Sequence, residues 1–329
     1  MNFYSNCSTY ARVLSLSLFT LGLSLASTPA DAGEKVDRTL DTGSSPKLDI
    51  EHVNGKADIQ VWDNQQVKVV GELSDRTNEF IFERKGNVVI IHVEVNRLGK
   101  KWWENNDEGD DLTIYVPKDS DINYTAVNAD VYLEGVTQGA NVEVVNGSVS
   151  ISNTGKRVKA ESVNGDITLE NVYGRLDAET VNGEIQAAHI GNEMVSFASV
   201  NGEIAVTTSS PDVTVETVNG QIDLTLQTID SLSINTVNGY VKSLLTLNPN
   251  GRVKASSVGG TINMVFQPGV SAQFDIETHA GGNISNNISS DKPQKPKYGP
   301  SSWLRFINNG GEGSVDISTV HGSITIDEK

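Results

Sequence analysis

The 329-residue sequence predicts an all-β protein wound as a parallel β-helix, a β-solenoid with coils of 18 or 19 residues. Three observations carry this reading. Val-Asn-Gly recurs with its asparagines at Asn146, Asn164, Asn182, Asn201, Asn219 and Asn238, in steps of 18, 18, 19, 18 and 19. Apolar residues keep fixed offsets from each Val: four residues on stand Val149, Ile167, Ile185, Ile204, Ile222 and Val241, and five before stand Val158, Leu176, Val195, Val213 and Leu232. Ser or Thr precedes the Val in five of these six units, at Ser162, Thr180, Ser199, Thr217 and Thr236. A fixed period in this range marks stacked supersecondary units, and apolar/polar alternation at period two marks strands with one buried face. Each unit therefore holds two short strands, one leaving the Gly and one running into the next Val-Asn-Gly.

Two arrangements fit the Asn-Gly pair. Gly enters left-handed backbone without a Cβ clash and Asn tolerates it, so the pair suits the two-residue hairpins of an antiparallel β meander. In a solenoid the pair turns a corner instead. Like positions then stack about 4.8 Å apart, apolar columns form the core, and Ser/Thr or Asn columns can form hydrogen-bonded ladders. The uniform columns favour the solenoid, because like positions in a meander are two strands apart and do not touch. A left-handed hexapeptide helix would space its apolar residues by six, whereas here the offsets are 0, 4, 6, 13 and 15. An outer-membrane barrel requires aromatic girdles; aromatics are only 6% and the strand faces alternate with charge.

Along the chain, residues 1–32 read as a signal peptide, with Arg12 ahead of an apolar run from Val13 to Leu25 and a small-x-small site at Ala30-Asp31-Ala32. The run is shorter than the roughly 20 residues a membrane span needs. Secretion across the inner membrane is expected, to the periplasm or the cell surface. Cys7, the single cysteine, falls in that segment, so disulfides, thiol catalysis and cysteine zinc sites are not expected in the mature chain. Residues 33–44 read as an N-terminal linker and 45–329 as one solenoid domain. Val53-Asn54-Gly55 opens it; a modified section, 56–126, separates that unit from Val127-Asn128-Ala129 and contains the strand-like run Val88 to Val95. Weaker copies close the array at Val258-Gly259-Gly260, His279-Ala280-Gly281 and Val320-His321-Gly322, as expected where degenerate units cap a stack. Residues 285–312 read as a loop insertion, since the stretch from Lys292 to Pro300 is rich in proline and breaks the repeat.

A net charge of −17 repels nucleic acid and anionic membrane surfaces. His52, His92, His189, His279 and His321 are scattered without metal-ligand spacing, and no serine sits in Gly-x-Ser-x-Gly. The run from Glu104 to Asp111 is rich in oxygen ligands, but an EF-hand with Gly109 at its sixth position would need Glu where Tyr115 stands. It reads as a solvated acidic loop. The run from Gly310 to Asp316 places its Asp one residue late for a calcium nonapeptide and occurs once. No cofactor or metal is expected. Asp166, Glu184 and Glu203 share one outward column, between Ser148 and Gln221, and repetition alone accounts for them. The candidate binding loops are those carrying Trp102 and Trp103, and Trp303, Arg305 and Phe306, because irregular loops on a rigid scaffold commonly carry recognition. Asn54, Asn146, Asn164, Asn182, Asn201, Asn219 and Asn238 are assigned as structural repeat turns.

The tandem Val-Asn-Gly-Asp/Glu-Ile units, the opening Leu48-Asp49-Ile50-Glu51-His52-Val53-Asn54-Gly55 with Val61-Trp62-Asp63, and the closing segment from Asp316 to Ile324 resemble the bacterial adhesin-like β-strand-repeat family, a secreted domain of unknown function. The resemblance spans roughly residues 45–326. It implies a parallel β-helix and a non-catalytic binding or structural role in the cell envelope, with an envelope protein or glycan as partner; the family offers no catalytic residues. The competing readings are a β-helical polysaccharide lyase or hydrolase, which needs converging carboxylates or a base with bound calcium, and an envelope-stress or assembly accessory protein.

Overall fold

A computed structural model describes residues 34–95 and 109–329. The chain begins with β1 (Lys35–Asp41), β2 (Lys47–Trp62), β3 (Gln66–Glu72), β4 (Thr77–Lys85), β5 (Val88–Val95), β6 (Asp110–Pro117) and β7 (Asp121–Glu134). Regular two-strand coils follow: β8 (Gly139–Asn146) with β9 (Val149–Thr154), β10 (Arg157–Asn164) with β11 (Ile167–Val172), β12 (Arg175–Asn182) with β13 (Ile185–His189), and β14 (Val195–Asn201) with β15 (Ile204–Thr208). Next, β16 (Asp212–Ser257) passes unbroken through the Asn219 and Asn238 corners. The chain ends with β17 (Thr261–Phe266), β18 (Ala272–Thr278), β19 (Ile284–Asn286), β20 (Ser302–Asn308), β21 (Gly313–Thr319) and β22 (Ile324–Glu328).

The repeat coils stack in parallel and in register. Asn164 lies between Asn146 and Asn182, and Ile185 between Ile167 and Ile204. The strands on both sides of each Asn-Gly pair with neighbouring coils, so the pair is a corner and the antiparallel meander is not formed. The offsets read from the sequence become buried columns: Ile167, Ile185, Ile204 and Ile222 are all 0% exposed. One continuous apolar core runs the length of the stack, so each coil depends on its neighbours for burial.

The corner backbone departs from expectation. Among the described residues, the non-glycine residues at positive φ are Asn153, Lys156, Asn171, Asn250 and Asn309, and the Val-Asn-Gly asparagines are not among them. Close approach, more than left-handed backbone, is what demands glycine. A Cβ on Gly165 would lie 1.9 Å from the Gly147 carbonyl oxygen, and one on Gly183 2.1 Å from that of Gly165. Gly183→Ala should therefore lower stability by about 1–3 kcal/mol through overpacking. Gly43→Ala, whose Cβ would meet nothing within 4 Å, should stay within about 0.5 kcal/mol. Equal shifts of the two variants in denaturant titrations would refute close approach as the reason.

Both ends of the stack are built differently from a simple succession of coils. At the N-terminal end, β2 lies between β5 and β6 on one side and β7 on the other. Thus the opening unit is the second layer, and the outermost coil comes from the modified section. At the C-terminal end, β21 and β22 insert between β16–β17 and β18–β19. The opening unit and the copies at Val258-Gly259-Gly260 and Val320-His321-Gly322 are interior layers, which corrects the expectation that they cap the stack; the copy at His279-Ala280-Gly281, between β18 and β19, does lie in the last coil. Antiparallel strands do the capping: β3 and β4 cover β6 and β5, β1 adds to β3, and β20 covers β18. In β1, Lys35, Asp37, Arg38 and Asp41 are exposed, the charged edge that discourages pairing with another chain.

Two segment assignments change accordingly. Residues 33–44 are not a plain linker, because β1 pairs with β3 from Lys35 to Asp41. An edge strand buries little, so it carries no strong period-two signal. Residues 285–312 are not wholly a loop, because β20 occupies Ser302–Asn308. In the copy read as His279-Ala280-Gly281 the corner falls one residue later, at Gly282, where a Cβ would lie 2.0 Å from the Gly322 carbonyl oxygen.

Candidate functional site

Stacking places the corner asparagines side chain on side chain. The Nδ2 of Asn128 donates to Oδ1 of Asn54 at 2.8 Å, and Asn146, Asn164 and Asn182 each donate to the preceding one at 2.7, 2.9 and 2.9 Å. Asn201, Asn219 and Asn238 continue at 3.0, 3.0 and 3.2 Å. The ladder ends at Asn238 because Gly259 carries no side chain to continue it. Every amide donates toward the N-terminal end, so the Nδ2 of Asn54 is the one donor the ladder does not use.

At that end lies an open cleft of about 370 Å³, lined by Asn54, Asn128, Asn146, Arg76, Asp130 and the backbone of the adjacent glycines. Gly55 and Gly109 let the outermost coil close over the corner, since a Cβ on Gly109 would lie 2.6 Å from the Gly55 Cα. Asp130 Oδ1 accepts both the backbone N–H and the hydroxyl of Ser148, each at 2.7 Å.

Near the cleft's Gly109 wall is a buried polar chain. The Tyr124 hydroxyl is 2.9 Å from His52 Nδ1, and His52 Nε2 is 3.2 Å from Asp110 Oδ2. Burial, with Asp110 and Asp130 nearby, pushes the Tyr124 phenol well above its ordinary value. The phenol therefore donates to Nδ1, and Nε2–H donates to Asp110. The other carboxylate oxygen accepts from Ser74 N at 2.7 Å and Thr77 Oγ1 at 2.8 Å. A buried carboxylate is costly unless its oxygens are satisfied, and here three donors hold it. Asp110 is 1% exposed, so the end of the acidic run is not a solvated loop. This chain ties the 74–77 turn to the first two coils. With Tyr124 and His52 inaccessible, it braces the cleft and does not face substrate.

Beside the cleft, the outward positions of β6, β2 and β7 carry aromatics. Trp62 stacks on Tyr115 with ring centroids 5.5 Å apart and planes 28° apart, and its Nε1–H donates to Gln66 O at 2.7 Å. Tyr132 is 42% exposed, with Lys56 Nζ 5.0 Å from its ring centre. Gln60 Nε2 donates to Asp58 Oδ2 at 2.8 Å. Residue order alone does not reveal this cluster, because Tyr115 lies beside Gln60 and Tyr132 beside Asp58 only through pairing of distant strands. The available signal was the outward parity of Trp62, Tyr115 and Tyr132 in alternating strands.

The candidate loops resolve differently. Trp102 and Trp103 lie outside the described residues, as does the acidic run up to Glu108. Trp303, Arg305 and Phe306 lie on strand β20, which corrects their assignment to a loop. Trp303 exchanges backbone hydrogen bonds with Gln294 at 2.8 and 2.9 Å, and Arg305 Nε bonds both Asp275 oxygens at 2.9 and 3.0 Å. Phe306 is buried against Phe274, centroids 4.6 Å apart. A capping strand must place one face on the core, and Phe306 is on it. These three residues hold the cap together; they are not one exposed patch.

The outward acid column forms as expected. Asp166 Oδ1 accepts the Glu184 backbone N–H at 2.8 Å. Glu203 is pushed above the ordinary carboxylate range by desolvation and then by Glu184 and Asp223. His189 is buried, with Nε2 donating to Gly174 O at 2.7 Å and Nδ1 accepting from Thr208 at 2.9 Å. Desolvation lowers its pKa, only partly opposed by the Gly174 bond; it is a satisfied core histidine. Among the described residues, no group of three or more His, Cys, Asp or Glu is placed to hold a metal ion. No helix among them is long and apolar enough to cross a membrane.

Three solved structures are similar at 12% identity each. A candidate cell adhesion protein from Clostridium sporogenes aligns over 92% of this chain and 100% of its own, with a TM-score of 0.24. A candidate adhesin from Bacteroides fragilis covers 90% and 97% with a TM-score of 0.37. A candidate lipid binding protein from Parabacteroides distasonis covers 91% and 99% with a TM-score of 0.38. These likenesses are too distant to carry a functional argument. No curated protein matches the sequence. The Toastrack DUF4097 profile matches residues 46–295, well over half of the sequence, and the chain belongs to that family.

Proposed function

We propose that the protein is a secreted, non-catalytic binding or structural protein of the bacterial cell envelope, whose partner is an envelope protein or glycan. The observation that supports this most is how the outward carboxylates are used. Asp130 and Asp166 each accept a backbone N–H from the following coil, and Glu184 accepts the Gln186 side-chain amide at 2.8 Å. Acids that share one face, and would otherwise invite a lyase or hydrolase reading, thus serve as scaffold acceptors repeated with the coil. General acid–base cleavage of a glycan requires two carboxylates placed across the scissile bond, with separated pKa values. Repetition of the coil accounts for the alignment of these acids without that chemistry. The cleft at the end of the asparagine ladder offers donors and acceptors on a rigid frame, the arrangement suited to recognition. The test is to incubate the mature protein with acidic and neutral polysaccharides, with and without calcium, and to run a pull-down from envelope extract in parallel. Specific retention of a partner without cleavage is expected. Reproducible cleavage that is lost in Asp166→Asn or Glu184→Gln would replace this reading with the enzymatic one.

A further inference from the structure

We propose that the outward face of β6, β2 and β7, together with the adjoining cleft, binds an uncharged glycan chain, stacked on Tyr132, Trp62 and Tyr115. The inference rests on the binding role above and names its ligand class. Tyr115 flanks Gln60 on one side of β2 and Tyr132 flanks Asp58 on the other. The two rings therefore stand diagonally across β2, roughly 12 Å apart from strand spacing and rise per residue. That is the span of a short oligosaccharide. Between them the Gln60–Asp58 pair presents planar hydrogen-bonding groups. A pyranose chain carries C–H groups on its ring faces and hydroxyls on its edges, so flat aromatic rings alternating with amide and carboxylate groups match it along its length. An apolar protein partner would call for a contiguous apolar patch, and Gln60 and Asp58 interrupt this one.

The surface is also pre-formed. Trp62 is held by its stack on Tyr115 and its bond to Gln66, so little side-chain freedom is lost on binding. At one edge of the face, Asp130 lines the cleft two residues from Tyr132 and brings the amides of Asn54 and Asn128 within reach of the same chain. Charge selects among glycans. Asp58, Asp130 and Glu134 face this surface; of the cations, Lys56 lies over the Tyr132 ring, Lys68 is paired with Asp37 at 2.9 Å, and Arg76 lines the cleft, so acids outnumber the bases left to meet a ligand. With a net charge of −17, the molecule repels polymers bearing uronate, sulfate or phosphate.

Retention of the full mature protein on immobilised neutral glycans (a β-glucan, an α-glucan and chitin) and on polygalacturonate tests this, with thermal melts as the fold control. At least one neutral glycan should retain the wild type. Tyr132→Ala should weaken retention at least about tenfold, the loss of roughly 1.4 kcal/mol of ring contact, with an unchanged melt. Tyr132→Phe should retain binding, since the stacking face remains, and Tyr298→Ala, on an exposed ring away from this face, should bind like wild type. Equal retention by Tyr132→Ala, or stronger retention on polygalacturonate than on any neutral glycan, would overturn the assignment. Retention on no glycan, alongside a specific partner in the envelope pull-down, would sink this inference and leave the binding role standing. Neither glycan nor partner would sink both.

Discussion

Ending the chain at Asn309 should destabilise the whole C-terminal end of the solenoid, not merely shorten it. In a plain stack the last segment of sequence is the last layer, and its removal bares one new edge. Here β21 and β22 form the layer between β16–β17 and β18–β19. Their Val315, Ile317, Ile324 and Ile326 are at most 2% exposed. Four such side chains contribute roughly 6–12 kcal/mol of apolar burial, comparable to the total stability of a domain. The truncated chain would also leave the outermost coil with no inner partner for its backbone groups. The expected result is aggregation, or early proteolysis confined to residues 250–309 with dye binding to exposed core. A truncated protein that melts cooperatively near the full-length temperature would show that the final coil is not intercalated.

Ile185→Asp should unfold the protein or lower its stability by at least about 5 kcal/mol, through loss of a buried side chain plus an unpaired buried carboxylate. Ile185 is 0% exposed between Ile167 and Ile204, in a column of apolar side chains. One residue away, Glu184 faces outward and its side chain accepts from Gln186. Glu184→Ala should therefore change stability by no more than about 0.5 kcal/mol. Comparing the two in denaturant titrations checks the facing of the whole column. Similar losses would mean that the inward and outward faces have been misassigned.

Much of the interior was legible residue by residue. The offsets that place Val158, Ile167 and Leu169 inward recur one coil later as Leu176, Ile185 and Ala187, and all are buried. The possibility of an asparagine ladder also followed from stacking like positions. Its corner glycine was expected for a partly different reason, since a preference for left-handed backbone is a local property whereas close approach depends on the neighbouring coil. The candidate binding residues were less legible. Phe306 looks like an exposed loop aromatic in the sequence, because a capping strand beside a proline-rich stretch carries no repeat signature. Asp110 looks solvated for a similar reason: its neighbours in sequence are acids, while its partners His52, Ser74 and Thr77 are at least 33 residues away.

By itself the sequence determined the all-β class, the coil length and the inward columns, and it favoured parallel stacking over an antiparallel meander, because in a solenoid the neighbour of residue i is residue i plus one period. Periodicity converts a long-range contact into a local pattern that can be counted. Only the tertiary structure decided which strands close the two ends, that the opening and closing units lie inside the stack, and that Tyr115, Trp62 and Tyr132 share one face. Those outcomes depend on which unpaired edges find cover, and on strands such as β2 and β7 meeting across 74 residues. Where the period lapses, burial of edges and apolar surface selects the partner, and that choice is made among all segments of the chain at once.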